Sequence, residues 1–267
     1  MSIHAGFLQY DVAFGDWEDN AESVRRLLGG APDLDLLVLP ELAFSGYDFR
    51  DRDELASLAE PRENGPTAAL LRDLARDRSM TVVAGYAEHA PEGCYNAAML
   101  VTPDGALRNY RKIHLFNREQ HVFLPGDAPP PVFETPAGRI GVMICFDWFF
   151  PETARCLALA GADIIAHPSN LVLPWCQQAM FARSIENGVF SITANRIGTE
   201  ARTDRSLAFT GGSQILGPRG ETLARAPLDA PALGLATLNP ASARNKAIAD
   251  LNDRFDNRRT ELYRGLV

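Results

Sequence analysis

RIGVMICFDWFFPETARCLALAGADIIAHP, residues 139–168, is the stretch whose reading decides the fold class. RIGVMIC has the apolar density of a strand buried on both faces. PETARCLALAG then reads as a helix, with Pro151 at the first position, where the missing N–H costs no hydrogen bond. ADIIAHP returns to the pattern of a buried strand. Strand, helix and strand in that order are the repeating unit of an α/β sheet. Cys145 falls at the first strand-to-helix junction.

The alternation continues outward in both directions. HAGFLQYDV reads as a strand, residues Trp17 to Leu28 as a helix, and DLLVLP as a strand that ends at Glu41. TAALLRDLARDR places Leu70, Leu71 and Leu74 on one helical face and arginines on the other, and MTVVAGYAEH follows as a strand. CYNAAMLVTP and ALRNYRKIHLF flank the turn signal Pro103, Asp104, Gly105, which predicts an antiparallel hairpin with Lys112 near its end. Beyond residue 168, WCQQAMFARSIENG reads as a helix and VFSITAN as a strand. GGSQIL and ETLARA form a second hairpin around Pro218, Arg219 and Gly220. The arginine-rich tail from Pro240 reads as polar and helical. With no repeat, low-complexity segment or dividing linker, the expectation is one domain over 1–267.

Composition narrows the function classes. The chain has 267 residues, is 46% hydrophobic and can bury a sizeable core. Its formal charge of −8 argues against a nucleic-acid or anionic-membrane partner, because the long-range field would repel both. No apolar run approaches the length of a bilayer span, and the N-terminus lacks the pattern of a secretory signal, so a cytoplasmic protein is expected. The cysteines Cys94, Cys145, Cys156 and Cys176 show no CxxC pairing, and the histidines lie on separate segments without metal-site spacing. Cys94, Cys156 and Cys176 are read as small core side chains.

Cys145 stands out by context, at a strand end beside Asp147, the place where α/β folds display reactive groups. Glu41 follows the apolar run LLVLP, so its carboxylate is either exposed at a strand terminus or buried with a partner. A thiol is mostly protonated at neutral pH, and a desolvated glutamate could serve it as a base. Lys112, beside Arg111, would in isolation be one more solvated surface cation.

Together these segments resemble the nitrilase superfamily of carbon-nitrogen hydrolases. LPELAFSGY is similar to its glutamate motif, YRKIHLF to its lysine motif and GVMICFDWFFPE to its cysteine motif, in the family's order. FLPGD, GADIIAHPSN, IENGVFSITANRIG and FTGGSQILGPRG extend the resemblance over nearly the whole chain. It implies a four-layer α-β-β-α sandwich. Cys145 would be the nucleophile, Glu41 the base, and Lys112 with the Phe146 backbone N–H the oxyanion donors. Glu119, four residues before Phe123, would be the second glutamate, holding lysine and substrate. No cofactor is implied. Cys145, Phe146, Asp147 and the later Phe150, Pro151, Glu152 resemble the amidase side of the superfamily, while CFDWFFPE and HPSNLVLPW also resemble homologues called nitrilases. A small aliphatic amide is the expected substrate, with nitrile and N-carbamoyl compounds as alternatives and a silent scaffold of the same fold as the non-enzyme reading. Tyr47, Trp148, Asn170 and Trp175 are substrate-pocket candidates. A homodimer is expected through PETARCLALAG and the tail from about 240 to 267, with His114 in a structural hydrogen bond.

Overall fold

The computed structural model describes residues 2–266. Two mixed sheets carry the architecture. Across the first, the strand order is Ala232–Leu238, Ile3–Gln9, Leu36–Val38, Thr81–Ala90, Gly93–Val101 and Leu107–Arg111, with Glu60–Pro61 added beside Thr81–Ala90. Across the second it is Thr222–Arg225, Gln214–Leu216, Phe190–Ala194, Ile164–Pro168, Gly138–Val142 and Val132–Thr135. Each sheet has three parallel strands at its centre and antiparallel strands outside them, and the short Glu60–Pro61 pairs parallel to Thr81–Ala90.

Period-2 alternation divides the side chains of the first sheet between two cores. Ala5, Phe7, Leu36, Val38, Val83, Ala98 and Leu100 join Ile140, Val142, Ile164, Ala166 and Ile192 of the second sheet in one buried cluster. Leu8, Leu37, Leu39, Val82, Ala84, Ala97 and Met99 face the other way. There they meet Ala21, Val24 and Leu28 of helix α1 (Trp17–Leu28) and Ala68, Leu71 and Ala75 of a later helix. Both layers of the central strands are thus covered, which is why those strands read as continuous apolar runs. The result is the α-β-β-α sandwich, with the sheets face to face.

The helices begin and end where their sequences require. Asp16 caps α1 by accepting the Asp19 N–H, Glu18 and Asp19 lie in its first turn, and Arg25 and Arg26 lie in its last. Helix α2 spans Arg52–Leu58, and α3 (Pro66–Asp77) starts on its proline. After the one-turn α4 (Glu119–Val122), α5 (Pro151–Leu159) and α6 (Cys176–Asn187) cover the second sheet. Helix α6 closes on Gly188, at φ 57°. Both expected hairpins form with antiparallel register.

Three expectations need correction. The strand before Cys145 ends at Val142, and Cys145 opens a tight 3₁₀ turn, Cys145–Phe149. Cys156 is exposed rather than in the core, because Thr153, Ala154, Leu157 and Ala158 form the buried stripe of α5. The tail has no α-helix among the described residues. It makes 3₁₀ turns at Pro240–Arg244 and Thr260–Leu262, and a short hairpin pairs Ala247–Ala249 with Asn252–Asp253. Its Asn and Asp side chains compete for the backbone: Asn245 accepts the Ala247 N–H, Asn257 that of Asp253, and Asp253 those of Phe255 and Asp256.

Candidate active site

Glu41 and Cys145 occupy equivalent places in the two sheets, each three residues beyond the carboxyl end of a central parallel strand, Leu36–Val38 and Gly138–Val142. Crevices at such strand ends are where open α/β sheets collect their functional groups. Lys112 directly follows the strand Leu107–Arg111, its N–H bonded to the Asn96 carbonyl and its own carbonyl accepting the Gly126 N–H. The ammonium therefore issues from a backbone tied on both sides.

The side chains of Glu41 and Lys112 are wholly buried, and that of Glu119 almost so. Lys112 Nζ donates to Glu41 Oε1 at 2.7 Å and to Glu119 Oε1 and Oε2 at 2.9 and 2.8 Å. Burial alone would favour loss of the lysine proton, but the Glu119 and Glu41 carboxylates outweigh it and raise the ammonium's pKa. Burial also raises the Glu119 carboxyl above the usual carboxylate range, against the opposing pull of Lys112. Cys145 feels the same three charges. Burial and then Glu41 push its thiol well above its ordinary value, with Lys112 and the Asn170 backbone N–H acting in the other direction. Burial and the Glu41 carboxylate thus favour the neutral thiol over the thiolate.

Glu41 presents a carboxylate with one oxygen engaged and one open. Its Oε1 accepts from Lys112 and, at 2.7 Å, from Asn96 Nδ2, while its buried Oε2 has no partner among the described residues. Asn96 escaped sequence reading, although a polar residue inside the run CYNAAMLV was a signal that a buried partner awaited it.

The turn that carries Cys145 is held from below. Asp147, fully buried, accepts from the Ile144 N–H at 2.8 Å and the Tyr110 hydroxyl at 2.9 Å, and pairs with His114 Nδ1 at 2.7 Å. His114 in turn stacks on Phe150, with ring centroids 3.8 Å apart. His167 Nε2 lies 2.9 Å from the Cys145 carbonyl oxygen. A carbonyl only accepts, so Nε2 carries the hydrogen, and Nδ1 receives the Thr193 hydroxyl at 3.1 Å. Burial lowers the His167 pKa to about 4, in keeping with a neutral ring. These positioning roles of Asp147 and His167 were not read from the sequence.

Cys145, Phe146, Trp148 and Asn170 line a cavity of about 20 Å³ with Phe116, Leu171, Val172 and Leu173. The Phe146 N–H lies in the first turn of the 3₁₀ segment, where donors lack intrahelical partners. Tyr47 is not on this wall. Its hydroxyl donates to Glu119 Oε1 at 2.6 Å, and its backbone N–H is held by Glu200, the buried partner of Arg196. Trp175 also lies off the wall, just before α6 and 56% exposed. A larger cavity of about 680 Å³ lies elsewhere, and its central charges are already paired, Arg111 with Glu88 and Glu92. Among the described residues no group of His, Cys, Asp and Glu is arranged to hold a metal ion, and no helix is long and apolar enough to cross a membrane.

Comparison with known proteins agrees with this geometry. Residues 6–247 match the carbon-nitrogen hydrolase family. A nitrilase of Pyrococcus abyssi is 48% identical over 85% of this chain and 86% of its own. The crystal structure of a carbon-nitrogen hydrolase from Helicobacter pylori G27 superposes with a TM-score of 0.88 at 25% identity, covering 100% of this chain and 98% of that one. A third relative is an amidase from Nesterenkonia sp. AN1, solved as a Glu-to-Gln variant. It carries the acetamide moiety of fluoroacetamide covalently on its active-site cysteine, and aligns at a TM-score of 0.80 and 26% identity over 99% of this chain and 97% of its own.

Proposed function

The chain belongs to the carbon-nitrogen hydrolase family, and from that premise we propose that it hydrolyses a small aliphatic amide to carboxylate and ammonia through a thioester on Cys145. The observation that carries this reading is the buried Lys112 ammonium clamped between Glu41 and Glu119, with Cys145 coupled to all three.

Glu41 accepts the thiol proton through its open Oε2 as the sulfur attacks the amide carbon. Negative charge that develops on the amide oxygen is met by the Lys112 ammonium and the Phe146 N–H. The proton passes to the nitrogen, the carbon–nitrogen bond breaks, and ammonia leaves behind an acyl-Cys145 thioester. Water then attacks that carbonyl while Glu41 again takes a proton. The acid departs and the thiol is restored. Glu119 keeps Lys112 charged and aimed, and Tyr47 keeps Glu119 in place. The small cavity beside Cys145 is walled mainly by Phe116, Phe146, Trp148, Leu171 and Val172, which supports a short, largely apolar acyl group.

Nitrile hydrolysis is the second reading, favoured by the similarity to the Pyrococcus abyssi nitrilase. Ammonia release measured across short amides, nitriles and N-carbamoyl compounds separates the readings. Lys112→Ala and Cys145→Ala should each abolish release in a protein that still folds, the lysine variant melting lower because two buried carboxylates lose their counter-ion. Normal turnover by either variant would overturn its assigned role.

The reading includes a homodimer. Phe149, Leu159, Trp175 and Phe181, on the nucleophile turn, α5 and around α6, are each roughly half exposed, which supports a second copy packing against this side of the sandwich.

A further inference from the structure

Asn170 is 2% exposed and lines the Cys145 cavity, yet neither Oδ1 nor Nδ2 has a hydrogen-bond partner among the described residues. A flip of the amide would exchange the two atoms and change nothing, since both are unpaired. The other walls are carbon: Phe116, Phe146, Trp148, Leu171, Val172 and Leu173. None of their side chains except the Trp148 indole N–H can hydrogen-bond. The backbone beside it is meanwhile fixed, the Leu171 N–H donating to Asn195 Oδ1 at 2.8 Å. The carboxamide thus remains uncommitted in a residue that shares a cavity with Cys145.

We infer that Asn170 is a specificity-determining residue that selects primary amides over nitriles. This rests on the hydrolase reading of the site above. A bare Oδ1 is satisfied only by a donor, and a bare Nδ2 only by an acceptor. A primary amide brings both, in N–H and C=O, whereas a nitrile brings a single acceptor and no N–H. A site built to hydrogen-bond a substrate group rejects the analogue that lacks it, because its own buried polar atom stays unpaired. The amide nitrogen donates to Oδ1, which also holds the leaving group away from the apolar wall until it is protonated.

The test compares kcat/KM for propionamide and propionitrile in the wild-type protein and in Asn170→Leu, which keeps the branched side-chain outline and removes both polar atoms. The expected result is a wild-type preference for the amide that shrinks about tenfold to hundredfold in the variant, through loss of amide turnover with nitrile turnover little changed. Asn170→Ala should reproduce the change in ratio, and serves if the leucine variant does not fold. An equal fall for both compounds would mean a merely structural side chain and would overturn the inference, as would an unchanged ratio or a wild-type preference for the nitrile. Absence of ammonia from every small amide would overturn the amide-hydrolysis reading as well, so the two failures are distinguishable.

Discussion

At the scale of single residues, the site is a balance of desolvated charges. One ammonium between two carboxylates leaves Glu41 with one oxygen committed and one open, and the uncommitted oxygen is the one that can take a proton. The Tyr47 hydroxyl bond works against the burial that raises the Glu119 carboxyl. Tyr47→Phe should therefore move the acid limb of the kcat/KM profile to higher pH, because Glu119 would take up its proton sooner on acidification. A superimposable profile would rule out the link. His167 gives a stability prediction. The folded protein keeps the imidazole neutral down to about pH 4, whereas the unfolded chain takes up a proton below 6.5. Stability from this group is thus present above 6.5 and is lost as pH falls from there towards 4, by on the order of 3 kcal/mol. Urea unfolding across that window should show a shallower loss in His167→Gln than in the wild-type protein. Parallel curves would contradict the assignment.

At the scale of elements, the chemistry sits where strands end and the backbone is bent. Apart from Ser79, the non-glycine residues at positive φ among the described residues border the site: Leu42 at 48° after Glu41, Asn117 at 49° before Glu119, and Cys145 itself at 40°. Strain of this kind persists only where surrounding structure enforces it. Gly85 is one enforcer. A Cβ there would lie 2.4 Å from Glu41 Cα and 2.6 Å from Leu42 N, backbone atoms that cannot yield cheaply. Gly85→Ala should cost about 1–3 kcal/mol of stability and lower kcat. Unaltered melting and turnover would show that the turn tolerates displacement. The strands and helices were legible in sequence because central strands buried on both faces leave apolar runs, and because Pro66, Pro151 and Gly188 punctuate the helices. The Cys145 turn was not, since its shape depends on Asp147 reaching Tyr110 and His114 in another segment. The tail misled because its polar composition suits a helix, while its Asn and Asp positions decide for turns.

At the scale of the molecule, stacking the two sheets brings residues 41, 112, 119, 145 and 170 from five separate segments into one crevice. Glu41, Lys112, Glu119 and Cys145 were legible through motif context, but their mutual burial was not, because only the packed sandwich removes the water around them. Tyr47 and Trp175 were legible as aromatics near motif loops, and nothing in their spacing distinguished a cavity wall from a brace or a surface. Light scattering over a dilution series should find a dimer, and a monomer at every concentration would leave the half-exposed aromatics of α6 without the proposed partner. The most direct test of the central claim is peptide mass mapping of the protein quenched in acid during turnover of propionamide. One covalent adduct is expected, on the peptide containing Cys145, and none when Cys145→Ala is introduced. An adduct at another cysteine, or amide turnover that survives loss of Cys145, would contradict the claim.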